Sequence, residues 1–172
     1  IRGVPELLVI YLIFFGSSAS IMYISKIFGY HGYIELNAFT MGTISIGIIS
    51  AAYSTEVFRG AYNIIDKGQI EAARALGLSK INTFIKILAP QILKHALPGL
   101  GNVWQITLKD TALISVTGLV EIMRQSRIAA NVTHSPLTFY LTAAVLYLIL
   151  TTFSSKAFNK LEDYSNKNQV KA

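Results

Sequence analysis

The sequence predicts an all-α, polytopic membrane protein, and three observations predict it. Of the 172 residues, 52% are hydrophobic and 14% are charged, whereas an ordinary soluble domain carries about 25% charged residues. Leu7 to Ser25, Leu36 to Thr55 and Ile128 to Ser155 contain no Asp, Glu, Lys or Arg, and each is long enough for a span of about 20 residues. None of these runs alternates polar and apolar residues in a sustained way, and a lipid-exposed backbone must satisfy itself within a helix or a closed barrel. Helices are therefore expected.

Taken in order, Leu7 to Ser25 and Leu36 to Thr55 are the first two expected spans. The chain then turns polar and basic. Asp66 can cap a helix whose third residue is Gln69, a variant of the capping box, and Gly77 stands where a helix C-terminus needs a residue tolerant of positive φ. Ala72, Ala73 and Ala75 on that short helix let another protein approach the backbone, and Glu71 and Arg74 offer one charge of each sign. From Ser79 a second helix is expected, with Ile81, Phe84, Ile85, Leu88 and Ile92 at helical spacing and Lys80, Lys86 and Lys94 between them. Pro90 lacks a backbone donor and should kink or end it. Two amphipathic helices lying on a bilayer with no partner would show the same local pattern. A run from His95 through Val120 is broken only by Lys109 and Asp110 and reads as a span with a polar middle or end. Ile128 to Ser155 is the last span, and a frayed polar tail is expected from Asn159 onward.

The basic residues report orientation. Arg2, Arg59, Lys67, Arg74, Lys80, Lys86, Lys94, Lys156, Lys160, Lys167 and Lys171 fall on one side of the expected spans. Lys26, Arg124 and Arg127 fall on the other. The positive-inside rule puts the first set in the cytoplasm. This asymmetry accounts for the net charge of +6 without nucleic acid, and the exposed aromatics of a single-strand groove are not interleaved with it.

Thr43, Gly47, Ala51 and Thr55 recur every four residues, as do Gly16 and Ser20, and such spacing lets helices pack closely in lipid. A pathway lining is the other reading of that stripe. Lys109 and Asp110 each cost roughly 2.5 to 3.5 kcal/mol at mid-membrane. Neighbours on a helix diverge by about 100°, so each needs its own partner or water. Either they border an aqueous path where an ammonium and a carboxylate meet a zwitterion, or they mark a span end and snorkel. Glu56 and Arg59, three residues apart, should form an exposed pair. His31, His95 and His134 are scattered and form no metal set. There is no cysteine, no phosphate-cradling Gly-x-x-x-x-Gly-Lys-Ser/Thr and no defensible nucleophile and base pair. The chain is thus read as no enzyme. If ATP powers it, another subunit supplies the engine.

The spacing of Glu71-Ala72-Ala73, Gly77, Ile87 and Pro90 between membrane-length runs resembles the EAA loop, by which permease subunits of bacterial ABC importers dock onto their ATPase. Ile1-Arg2-Gly3-Val4-Pro5-Glu6-Leu7, Phe14-Phe15-Gly16, Glu56-Val57-Phe58-Arg59-Gly60-Ala61, His95-Ala96-Leu97-Pro98-Gly99-Leu100-Gly101-Asn102 and Leu108-Lys109-Asp110-Thr111-Ala112-Leu113 extend the likeness over nearly the whole chain. They resemble the polar amino-acid permease family, and within it the Q-type subunits for histidine, arginine, ornithine and the opines. Ala89 departs from the loop pattern, which usually has a larger apolar residue before the proline.

The resemblance implies a type I ABC importer permease fold with about four of the family's five spans present, the first being absent and the N-terminus lying in the loop after it. It implies a permease domain over 1–158, with its cytoplasmic coupling loop at about 62–94, and a tail over 159–172. Glu71, Ala72, Ala73, Arg74, Gly77 and Pro90 would couple to the ATPase. Lys109, Asp110 and Thr111 are the candidates for the substrate pathway. The implied partners are two ATPase subunits that hold ATP and Mg, a second permease subunit of M-type or identical sequence, an extracytoplasmic amino-acid-binding protein, and the bilayer of a bacterial cytoplasmic (inner) membrane. An importer of glutamine, glutamate or cystine is the alternative within the family. A secondary transporter or a non-transporting anchor would lie outside it.

Overall fold

The structure, a computed structural model, describes residues 3–30, 32, 34 and 36–167, with the backbone alone for 166 and 167. Arg2, His31 and Lys171, which entered the reading of charge and ligands, lie outside the described residues. Seven α-helices are present among the described residues, with no strand: α1 (Glu6–Ile27), α2 (Ala38–Asn63), α3 (Lys67–Ala75), α4 (Lys80–Thr83), α5 (Ala89–Asp110), α6 (Ile122–Thr133) and α7 (Pro136–Lys167). A π-helical turn, Phe84–Leu88, joins α4 to α5, and a 3-10 helix, Thr111–Thr117, follows α5.

The two outer helices have the character of membrane spans. α1 has 22 residues, about 33 Å at 1.5 Å per residue, which matches the hydrocarbon thickness. Only 11% of its most apolar window is buried against the rest of the chain, and only 6% of that in α7. A core helix of a soluble protein would hide these residues. Here Leu12, Tyr23, Ile27, Leu148 and Phe153 are exposed, so lipid or another subunit must cover them.

The helix boundaries follow from local chemistry. α1 starts after Pro5, whose fixed φ suits entry to a helix. Asn37 caps α2 by accepting from the backbone N–H groups of Phe39 and Thr40 at 2.9 and 3.1 Å. The charge-free run from Ile128 to Ser155 is not one helix, and its membrane-length part is confined to α7. α6 ends at Thr133, His134 turns left-handed at φ 51°, and α7 begins at Pro136. The break lies within the uncharged run, so charge counting passed over it. Ser135-Pro136 was the available signal, since proline favours the first position of a helix. The run from His95 to Val120 is likewise not one α-helix, because α5 stops at Asp110 and a tighter helix continues. Pro90 does not end the helical path, which runs on as α5. The turn before it widens, the Ala89 N–H reaching back five residues to the Phe84 carbonyl, and a π turn accommodates the absent donor and the bulky ring. Residues 159–167, expected as a frayed tail, continue α7.

The chain divides into two compact units, Ile1–Ala52 with Ile106–Thr151, and Tyr53–Gln105 with Thr152–Ala172. The first is built around Ile10, Ser45, Ile46, Ile49, Ile114 and Ala143, all buried. α1 and α6 both pack against the 3-10 helix. Within this unit the Ser50 and Thr107 hydroxyls lie 2.5 Å apart, an interhelical hydrogen bond of the kind that holds helices together in lipid. The second unit buries Ala61, Ile65, Ala73, Thr83, Leu88 and Ala96.

The stripe Thr43, Gly47, Ala51 and Thr55 does not pack inside the chain; all four are exposed. The buried face of α2 is instead Gly42, Ser45, Ile46 and Ile49. Gly42 allows the close approach: a Cβ there would stand 2.7 Å from Ile114 Cγ2. Gly42→Val should therefore overpack this unit and cost about 1 to 3 kcal/mol. Thermal unfolding in detergent, followed through the fluorescence of Trp104, should show a lower midpoint than the parent.

Candidate functional site: a capped loop and an apolar-walled cavity

The segment between α2 and α5 is folded by its own caps. Asp66 Oδ1 accepts from the Gly68 N–H at 2.8 Å and opens α3. The helix closes in a Schellman turn, the Leu78 N–H reaching the Ala73 carbonyl at 3.0 Å and the Gly77 N–H that of Arg74 at 2.9 Å. Gly77 lies at φ 75°, where any side chain would be strained. Gln69 does not complete a reciprocal capping box; its Oε1 accepts from Gln91 Nε2 at 2.6 Å. The side chain thereby ties α3 to α5, which a reading of local sequence could not foresee. Ser79 Oγ then caps α4 by accepting from the Asn82 N–H at 3.3 Å.

The result is a short rigid helix with distinct faces. Ala73 is 1% exposed and packs inward, so it is not part of a surface that a partner could approach. Glu71, Ala72, Arg74 and Ala75 face outward, and Leu76 is 81% exposed at the helix end. Arg74 also borders a cavity of about 270 Å³ together with Tyr62, Ile70, Lys80, Phe84 and Leu88. Pro90 is exposed within the continuing helix. Upstream, Glu56 and Arg59 form the expected exposed pair at 3.6 Å, worth a few tenths of a kcal/mol at most.

The second candidate set lies in the other unit. Lys109 lines a cavity of about 320 Å³ with Ala112, Met123, Tyr140, Ala143 and Tyr147. Its walls are apolar and aromatic, with one ammonium, as ligand cavities commonly are. Thr111 interacts with the Tyr147 side chain on that wall. Asp110 is half-buried, does not line the cavity, and interacts with Glu6 of α1 and with Lys109. Adjacent in sequence, Lys109 and Asp110 thus occupy different surroundings, as the 100° step of a helix requires. Reading the sequence missed Tyr147, Tyr140, Met123 and Glu121. Glu121 Oε2 accepts from the Tyr147 hydroxyl at 3.1 Å, and no spacing rule connects residues so far apart.

Residues 1–163 match the family described as binding-protein-dependent transport system inner membrane component, and the chain belongs to that family. It is 51% identical to the octopine transport system permease protein OccQ of Rhizobium meliloti over 162 residues, covering 94% of this chain and 68% of that one. It is 49% identical to the nopaline transport system permease protein NocQ of Agrobacterium fabrum, over 97% of this chain and 71% of the relative. The histidine/lysine/arginine/ornithine transport system permease protein HisQ of Escherichia coli is 40% identical over 94% of this chain and 71% of its own length. A solved structure, described as an amino acid ABC transporter with histidines, superposes with a TM-score of 0.77 at 33% identity, covering 95% of this chain and 71% of that one.

The cap is a measurable part of the loop. Asp66→Ala should destabilise α3 by about 1 kcal/mol. Amide exchange over residues 67–75 should then quicken by about fivefold, while exchange in α1 stays at the parent rate.

Proposed function

We propose that this chain is the membrane-spanning subunit of an ATP-driven importer for a basic or opine-type amino acid, working by alternating access. The observation that carries the proposal is the exposed, doubly capped helix α3 set between membrane-length helices. A helix closed at both ends by its own side chains and backbone moves as one body, so force on Glu71 or Arg74 is passed to α5 through the Gln69–Gln91 bond and the continuous π turn. Separate ATPase subunits would hold ATP and Mg and grip the face bearing Glu71, Ala72, Arg74 and Leu76. In this reading α1, α2, α5 and α7 cross the membrane and α6 does not, which keeps α3 and the end of α7 on the cytoplasmic side with most of the Lys and Arg residues.

The substrate class is supported by the relatives, whose names specify octopine, nopaline and the basic amino acids, and by the chemistry of the cavity. Its Lys109 ammonium can pair with a substrate carboxylate, and Tyr140 and Tyr147 can face an extended cationic side chain. An extracytoplasmic binding protein would deliver that substrate, and a second permease subunit would complete the pathway. The exposed stripe of α2 offers a close-packing face for such a neighbour.

Glu71→Lys and Gly77→Asp should insert and fold but hydrolyse ATP without matching uptake when reconstituted with the whole importer. Normal coupling in either variant would count against α3 as the contact. Co-purification from native membranes should recover an ATPase subunit with the parent chain and lose it with Glu71→Lys. For the cavity, Lys109→Ala should lower uptake at least tenfold while the ATPase still co-purifies; uptake at the parent rate would show that the ammonium is structural.

A further inference from the structure

Glu121 is unusual in how its carboxylate is used. Oε2 accepts from the Met123 N–H at 2.7 Å and from the Tyr147 hydroxyl at 3.1 Å, and Oε1 accepts from the Arg124 N–H at 2.5 Å. Two of these donors are the free N–H groups at the start of α6, where the helix dipole favours a negative charge. The third reaches out of the cap to α7. A carboxylate has about four acceptor directions, and three are occupied by fixed groups. Glu121 is thus held in place by the helix it caps, and it holds Tyr147 in turn.

Tyr147 has a side chain with two faces to its duty. Its body forms part of the wall of the 320 Å³ cavity beside Lys109, its hydroxyl donates to Glu121 Oε2, and the Thr111 side chain lies within interaction range. These two partners come from the start of α6 and the start of the 3-10 helix. The 3-10 helix is itself tied to α6, because Arg124 Nη1 donates to the Ser115 carbonyl at 3.2 Å. Two mutually tied elements therefore meet at one phenol of α7.

We propose that Glu121 is the positioning residue of the cavity: it fixes the Tyr147 ring against Lys109, and the substrate meets the ring and the ammonium, not the carboxylate. The proposal rests on the reading of this cavity as the place where an amino acid binds. It opposes the simpler assignment, in which an acid near a pathway for basic amino acids binds their cationic group directly. A carboxylate with three of its about four acceptor directions taken by two backbone donors and a phenol has only one left to offer a guanidinium, whereas a phenol held at its hydroxyl presents an ordered aromatic wall. Preorganisation of this kind raises affinity by removing the cost of ordering the ring when the ligand enters.

The test is a double-variant cycle on the assembled permease and ATPase complex in detergent, without the binding protein, so that only the membrane cavity can bind. The Kd is measured by equilibrium dialysis with radiolabelled L-arginine, and with L-citrulline as an uncharged analogue of similar length. Tyr147→Phe removes only the hydroxyl and keeps the ring's volume; Glu121→Gln keeps the side chain's size. Each should weaken arginine binding about five- to tenfold, the effect of losing one hydrogen bond, and citrulline binding by a similar factor. The double variant should be no weaker than Tyr147→Phe alone, because both act through one bond. Additive losses, or a Glu121→Gln loss confined to arginine, would overturn the proposal and make Glu121 a direct partner of the cation. If Lys109→Ala weakens binding and Tyr147→Phe does not, the cavity reading stands and the positioning role falls. If the parent binds neither ligand, or none of the variants changes either Kd, both fall.

Discussion

Every interruption of a helix frees backbone donors and acceptors, and in lipid or at its surface those groups must find partners within the protein. This constraint shapes the chain more than any single packed contact. Asn37, Asp66, Ser79 and Glu121 each place an oxygen on the free N–H groups at a helix start. Gly77 and His134 turn left-handed to close helix ends. At Pro90 the missing donor is accommodated by a π turn that lets the helix go on. The breaks are therefore built, and each one carries something that the uninterrupted helices could not.

In the loop between α2 and α5 the breaks produce a short, doubly capped helix. Its two caps make α3 rigid despite a length at which an isolated helix would be unstable in water. The inward Ala73 seats it, and the outward Glu71, Arg74 and Leu76 leave charge and apolar surface for a neighbour.

Around Lys109 the breaks produce a cavity. The end of α5 and the tighter 3-10 helix after it set Lys109, Asp110 and Thr111 into three different surroundings, and the start of α6 supplies the carboxylate that holds Tyr147. Had residues 95 to 120 formed one regular helix, the polar pair would have needed costly partners in the middle of a span.

The sequence alone was enough for the helical class, the two caps of α3 and the family likeness, because these depend on composition and on residues within a turn or two of one another. Asp66, Gly77 and Ser79 act on backbone groups two or three residues away, so their roles are legible in the string. Charge-free length misled over residues 128–155, since the His134 turn and the Pro136 start involve no charge. It also left open which face of α2 is buried, because Gly42 and Gly47 differ only in having Ile114 nearby or nothing. The Gln69–Gln91 bond, the inward turn of Ala73 and the approach of Glu121 to Tyr147 were decided by tertiary structure, because side chains 22 and 26 residues apart meet only when separate helices are brought together.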